Sequence, residues 1–369
     1  MSTTDESPRQ GLLATITENR LLSILNESTA PLSRSEIAQL SGISKPAISD
    51  AARRLEESGV IVATGTRGGR RGGVATLYKI NAERGHSVSL ALDSAHVTAR
   101  AIRLDGTVGF ERAERLPRNA SREFVISAAN GMLGAVEREL RSPLLAAAVS
   151  VADPVDRLTG EIIAVADSVF PAGHFNPVRD LDIHALESVV DNDVNWATLA
   201  EYHRGAMQHN DDFLYVYLGA GLGAGLFLGG TLQRGSRGLA GEIGHLRAPG
   251  GDDLTRTLAR LGLRGDSSSE YGLDVHVASQ LFSRAEIPPT ALDALDSLAI
   301  AIANMVTLLN SSAVVLGGPL ADVTALVDHL AAAIPELSLD HVDVVVGTRT
   351  PLDGASHEAH RMARDRLGF

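Results

Sequence analysis

Apolar positions change period several times along this chain, and each change marks a new element. Between residues 31 and 81 the period is helical twice and then alternates. Ile37, Ala38 and Leu40 supply one short apolar face, and Ile48, Ala52 and Leu55 supply a second at helical spacing. Ser33 and Glu36 form an S-x-x-E capping box that starts the first helix. Gly42 ends it and permits a tight turn. Ser44 stands where it can cap the second helix, and Pro46 is tolerated in that helix's first turn. Val60-Ile61-Val62 and the run from Thr76 to Ile80 are β-prone, and Gly65-Thr-Arg-Gly-Gly-Arg-Arg-Gly-Gly73 joins them as a hairpin with a basic tip. Helix, tight turn, helix and hairpin in this order predict a winged helix-turn-helix over residues 1–82.

On that reading Lys45, Ser49, Asp50 and Arg53 lie on the exposed face of the second helix. The candidate DNA contacts are Ser44, Lys45, Ser49, Arg53 and Arg54, with Arg67, Arg70 and Arg71 from the wing reaching phosphates or a narrow minor groove. Asp50 is unusual there; it can accept from a cytosine amino group or repel phosphates.

From Gly85 the pattern becomes strands alternating with helices, which indicates an α/β module. Val88 to Asp93 reads as a strand ending in a carboxylate, Val97 to Leu104 as its partner after a turn, and Asp105-Gly106 as a hairpin turn. Residues 121–140 read as a helix, 146–151 and 161–165 as strands, 182–188 as a helix, and the segment after Asp191-Asn192-Asp193-Val194-Asn195 as a helix through Tyr202. Residues 213–230 form an uncharged run of 18, long enough to raise the question of a membrane span. The glycines at 219, 221, 223, 225, 229 and 230 favour two buried strands around a turn instead.

Charge separates the two parts. Residues 1–84 hold 11 Lys and Arg against 9 Asp and Glu, a net of +2, whereas the remainder carries −14. The acidic part would repel DNA, so the head is the nucleic-acid reader. The 369 residues contain no cysteine, which excludes disulfides and thiolate metal sites and fits a reducing compartment. With a polar N-terminus, this gives an expectation of a cytoplasmic protein without a membrane partner.

Four local signals in the acidic module carry chemistry. Gly219-Ala-Gly-Leu-Gly223 can present backbone N–H groups to a phosphate or simply make a tight turn. Asp191-Asn192-Asp193 can hold sugar hydroxyls, with a carboxylate as general base, or can cap a helix. Glu242 and His245, three residues apart in Gly238-Leu-Ala-Gly-Glu-Ile-Gly-His245, can point into one cleft. Val314-Val-Leu-Gly-Gly-Pro319 is a buried strand entering a glycine turn that can shape a pocket or end the strand.

Taken together, these motifs and the SRSEIAQLSGISKPAIS segment resemble the ROK family of repressors and sugar kinases, over nearly the whole chain. The resemblance implies an α/β fold in which a winged helix-turn-helix precedes a two-lobed actin/hexokinase-like module. Lobe 1 is expected at 85–192 and lobe 2 at 193–353, with a C-terminal helix at 354–369 packing back on lobe 1. It implies that Asn192, Glu242 and His245 hold sugar hydroxyls and that Asp193 corresponds to the kinases' catalytic base. Departures point away from catalysis. The family's Asp-x-Gly-Gly-Thr phosphate loop reads Asp93-Ser-Ala-His-Val97 here, and its Gly-Thr-Gly reads Gly219-Ala-Gly221. The Cys-rich zinc segment is matched at best by residues 259–268 without a thiolate, and Glu270 is no firm substitute for a family sugar ligand. A Pro-Gly-Pro-Val-Asp loop reads Ala152-Asp-Pro-Val-Asp156, with Asp153 able to narrow the pocket. The expectation is a repressor, without enzymatic activity, cofactor or metal, that binds double-stranded operator DNA as a homodimer or homotetramer and senses a sugar or sugar phosphate with Asn192, Asp193, Glu242 and His245. Two alternatives stay open: a sugar kinase with an appended DNA-binding head, and a regulator governed by a protein partner.

Overall fold

The computed structural model describes residues 8–369, except 69–73, 118–119, 164, 166–167, 169, 171–172, 174, 249–250, 265–271 and 285. The head begins with a helix that the periodicity reading did not delimit, α1 (Pro8–Glu27), followed by a short strand β1 (Leu32–Ser33). Next come α2 (Arg34–Ser41) and α3 (Lys45–Glu57), then the wing strands β2 (Ile61–Gly68) and β3 (Val74–Ile80), in a sheet of order β1-β3-β2. The Ser33–Glu36 capping box forms with both of its bonds, and Gly42 ends α2 in the left-handed region at φ 71°. Ser44 occupies the N-cap of α3, but its side chain makes no capping bond. Ile48, Ala51, Ala52 and Leu55 are buried against Leu21, Leu22 and Ile37. Leu40 corrects the sequence expectation: it is 58% exposed, because Ile37 and Ala38 alone face the core of this two-turn helix.

Lobe 1 contains β4 (His86–Leu92), β5 (His96–Arg103), β6 (Val108–Arg115), α4 (Arg122–Glu139), β7 (Leu144–Val151), α5 (Pro177–Asp180) and β8 (Glu187–Asn192). Its sheet has the order β6-β5-β4-β7-β8, antiparallel through the first three strands and parallel through the last three. Two expectations fail here. Residues 182–186 are irregular and run straight into β8 rather than forming a helix, and Ile162 makes only an isolated bridge to Val155. In both places the chain finds its partner in tertiary contacts that local periodicity does not encode.

After β8 comes α6 (Asp193–Arg204). Lobe 2 then follows with β9 (Phe213–Leu218), β10 (Leu222–Leu228), β11 (Thr231–Gln233), α7 (Leu254–Leu258), α8 (Val275–Phe282), α9 (Pro289–Leu309), β12 (Ala313–Gly317), α10 (Thr324–Leu337), β13 (Asp343–Val346) and α11 (Pro351–Asp365). The order β11-β10-β9-β12-β13 repeats the topology of lobe 1. The uncharged run at 213–230 is thus a buried hairpin. Helix α9 is long and apolar enough to cross a membrane, but its residues 291, 294, 295, 298, 299, 302 and 306 recur at helical spacing and fill the lobe 2 core.

The two lobes exchange helices. Helix α6 leaves lobe 1 and packs on β9 and β10 of lobe 2, whereas α11 leaves lobe 2 and packs on β4 and β7 of lobe 1. The helices also pack on each other, so closely at Gly354 that a Cβ there would lie 1.9 Å from the Trp196 carbonyl oxygen. Trp196 is buried beside Ala148, Ala355 and Ala359 and donates its indole N–H to Val149 O at 3.0 Å. Glu201 of α6 is fully buried. Its carboxylate accepts the backbone N–H groups of Thr348 (2.5 Å), Arg349 (2.7 Å) and Ala206 (2.7 Å), which fixes the approach to α11. The far end of α11 carries Met362 and Ala363 into the same apolar cluster as Leu21, Leu22 and Ile48, so the head shares a core with lobe 1.

Candidate functional site

A cleft of about 140 Å³ lies between the lobes. The end of β8 and the start of α6 form its floor. Asn192 is the N-cap of α6, its side chain accepting the Val194 N–H at 3.0 Å, so the capping role weighed from sequence is realised on the cleft wall. Asp193 follows at the first helical position and also accepts from the Val194 N–H, at 2.8 Å. Glu242 and His245 reach the same cleft from the loop after β11, so the four candidate sugar residues share one cavity.

That loop is held at its start. Arg234 donates to Asp191 Oδ2 at 2.6 Å, and Arg237 meets Asp156 at 3.3 Å, both across to lobe 1. Gly238 and Gly241 have φ 90°, and a Cβ at either would fall within 2 Å of the carbonyl oxygens of Val155 and Ala224. Only glycine fits both the conformation and the space. Asp191 is buried and does structural duty, accepting also from Asn195 Nδ2 at 2.7 Å.

Two carboxylates that sequence reasoning placed in degenerate loops crowd Asp193. Asp153 is buried and accepts the Ser168 hydroxyl at 2.6 Å, and Asp93 lies at the mouth of the first hairpin turn. Burial first, and the charges of Asp153 and Asp93 after it, push the Asp193 carboxyl up from its usual value to about 7. Asp93 Oδ1 accepts the backbone N–H groups of Ala95 and His96, each at 2.7 Å. Those donors are satisfied within the turn. The matching turn in lobe 2 carries Gly219 and Gly221, and Gly221 has open space where a side chain would be. Gly223 and Gly225 serve another purpose: they let α6 approach β10, since a Cβ at Gly225 would lie 1.7 Å from the Thr198 hydroxyl.

On the head, Lys45, Asp50 and Arg53 are exposed on α3, and Ser49 is half-buried. Arg53 is paired with Glu57 at 3.1 Å, both side chains largely in solvent. Arg54 turns inward to Glu18 of α1. Arg67 reaches back from the wing to Glu36 at 2.6 Å. The Glu36 carboxyl is held below its ordinary range by the Ser33 N–H and hydroxyl, with help from Arg67. Arg70 and Arg71 lie outside the described residues. Between α3 and the wing runs a groove lined by Arg34, Lys45, Ser49 and Thr76. Arg34, which the sequence reading passed over, donates to the Tyr78 hydroxyl there at 2.5 Å. Among the described residues no group of three or more His, Cys, Asp or Glu could hold a metal ion, and Glu270 lies outside them.

The ROK family model matches residues 91–264, and a winged helix-turn-helix DNA-binding model matches residues 15–62. The chain thus carries a ROK family domain behind an N-terminal winged helix-turn-helix. It is 24% identical over 338 residues to a putative xylose repressor of Caldicellulosiruptor sp. (strain Rt8B.4), covering 81% of this chain and 82% of that protein. It is 34% identical to a glucokinase of Halalkalibacterium halodurans, but over only 36% of this chain and 49% of the kinase. Among solved structures, a ROK family transcriptional regulator described as a homologue of the Escherichia coli MLC protein superposes with TM-score 0.66 over 96% of this chain and 98% of that one, at 18% identity. A ROK hexokinase from Thermus thermophilus superposes at 0.58 over 76% of this chain and all of the hexokinase, at 26% identity. The kinase therefore matches the two-lobed module, and the regulator matches head and module together.

Proposed function

We propose that this ROK chain is a DNA-binding transcriptional repressor whose former kinase cleft senses a sugar. The observation that carries the reading is one packed path. The N-terminus of α6 holds Asn192 and Asp193, α6 packs on α11, and α11 ends in the core of the DNA-reading head. A sugar that prefers one separation of the lobes thereby prefers one placement of the head, and DNA affinity shifts by that differential affinity. The cleft is well below the roughly 300–1,000 Å³ of common ligand pockets; it suits one sugar ring rather than a ring plus a nucleotide. The names of the relatives make a pentose such as xylose the first sugar to test.

The spent N–H donors of the Asp93 turn support loss of phosphoryl transfer, which depends on a preorganised anion cradle. In the head, Lys45, Ser49 and Arg53 face the major groove, joined by Arg34 from the wing groove. Arg54, paired with Glu18 of α1, braces the fold, whereas Arg67, half in solvent beside Glu36, stays open to a phosphate. The Arg53–Glu57 pair, exposed on both sides, is worth at most about 1 kcal/mol and yields readily to a phosphate or a base. Two heads on a palindromic operator call for a homodimer or a dimer of dimers in the cytoplasm.

The test is fluorescence anisotropy on the protein's own upstream DNA, with and without xylose, glucose and their phosphates. Salt-sensitive binding weakened by one sugar is expected, and Arg53→Ala should cost about 1–3 kcal/mol and relax sequence preference. A coupled assay that detected sugar-dependent ATP turnover, lost in Asp193→Asn, would overturn the reading in favour of a kinase.

A further inference from the structure

A second cavity, of about 370 Å³, opens away from the cleft, where α6, α11, β5 and the end of α1 meet. It brings together residues about 150 positions apart through the helix exchange, and its lining is unlike the acidic module around it. Arg100 is already neutralised there, by Glu111 at 2.8 Å and Asp353 at 2.7 Å. Arg204, Arg349 and Arg364 are not: none forms an ion pair among the described residues, and only Asp105 remains as a counter-charge in the lining. Arg364 lies over the Phe369 ring at 4.7 Å, and Arg349 donates to the Arg204 carbonyl oxygen at 2.9 Å. His203 stacks on His357 with ring centroids 4.2 Å apart. His360, only 9% exposed, lines the floor, and its Nδ1 is buried with no hydrogen-bond partner among the described residues. Burial, then His203 and Arg204 at His357 and Arg364 and Arg204 at His360, hold both imidazoles down to about 4, which keeps them neutral in an already cation-rich cavity.

An orphaned buried donor or acceptor costs about 1–3 kcal/mol, and crowded guanidinium groups repel one another. An anion would relieve both. A planar carboxylate offers two oxygens in one plane. A phosphate presents three oxygens in different directions, which matches two guanidinium groups and an imidazole arriving from separate turns of α6 and α11. The volume exceeds what a phosphate group alone fills, which leaves room for an organic part. We propose that this cavity binds a phosphorylated small molecule, its phosphate held by Arg204 and Arg364 and hydrogen-bonded by His360. It is a second effector site, independent of whether the cleft binds a sugar. Its rim includes Asn26 at the end of α1, and Arg364 touches the Phe369 tail that packs on the head's core. Occupancy therefore bears directly on how the DNA-reading head is held.

Isothermal titration of the full chain with inorganic phosphate, glucose 6-phosphate, glucose and succinate tests this. Binding of phosphate or its ester is expected to weaken at least tenfold in Arg204→Gln and in His360→Gln and to persist in the cleft variant Asp193→Asn. An imidazole nitrogen resonance assigned to His360 should also move on titration. An ester bound tenfold more tightly than inorganic phosphate would assign the organic part to the cavity, and equal affinities would make free phosphate the ligand; either supports the site. Absence of binding, equal affinity for succinate, or an affinity unchanged in Arg204→Gln would overturn it. Arg204 is exposed, so its variant keeps the test open where His360→Gln fails to fold. Loss of binding in Asp193→Asn alone would place the phosphate in the cleft and sink the proposal without touching the repressor reading.

Discussion

The turn between β4 and β5 and the turn between β9 and β10 occupy the same position in two sheets of the same strand order. Both overlook the cleft. In lobe 1 the turn closes on itself, because Asp93 takes the N–H groups of Ala95 and His96. In lobe 2 the Gly219 N–H is spent on Gly221 O at 3.2 Å, and Gly221 alone is exposed, with open space where a side chain would be. The topology thus offers two places for an anion, and the side chains decide whether the donors are available. A fold of this kind persists when one cradle is filled, since the sheets are held by their apolar faces and not by the turns. The exchanged helices differ in a similar way. At Gly354, α11 meets the backbone of α6, whereas at Gly225 β10 meets only a threonine side chain.

Gly354→Ala should have the largest effect. The new Cβ would strike a carbonyl that cannot turn aside, and a loss of about 3 kcal/mol is expected in denaturant unfolding. Gly225→Ala should cost somewhat less, about 2 kcal/mol, because Thr198 Oγ1 can rotate away whereas its Cβ, 2.8 Å from the new methyl, must shift with α6; equal costs would break the distinction between the two contacts. Glu201→Gln comes next. One oxygen would be replaced by an amide donor facing backbone N–H groups, for a loss of about 2 kcal/mol in the same measurement. Asp93→Ala should loosen the lobe 1 turn by about 1 kcal/mol. It should also lower the Asp193 midpoint, read by carboxyl NMR, because a like charge is removed; a midpoint that stayed or rose would refute the coupling. The last effect is on pH dependence. Folding raises the Asp193 carboxyl from 3.8 to about 7, so its contribution to stability is complete below about pH 4 and fades as pH climbs through about 7. Melting temperatures across that window should flatten in Asp193→Asn, and an unaltered slope would show that another group is responsible.

The head was readable from sequence because its signals are local: the Ser33–Glu36 box, Gly42 and the spacing of Ile48, Ala52 and Leu55 each act within one turn of helix. The cleft residues were readable because their motifs sit where strands end. What escaped was tertiary. Residues 182–186 look amphipathic yet serve as the lead-in to a strand. Arg54 and Arg67 look like free cations until Glu18 and Glu36 arrive from other elements. Gly223 and Gly225 look like part of a phosphate loop but exist for α6. The basic cavity is the extreme case, since His203 and His360 become neighbours only through the helix exchange.

Trp196 is the only tryptophan in the chain, and it sits at the point where α6 and α11 cross. The molecule therefore carries a native optical probe at the joint between its lobes. Its emission should be blue and shielded from soluble quenchers in the compact state. Any ligand that parts the two helices would register as a red shift and faster quenching, in unlabelled protein and on the timescale of stopped flow.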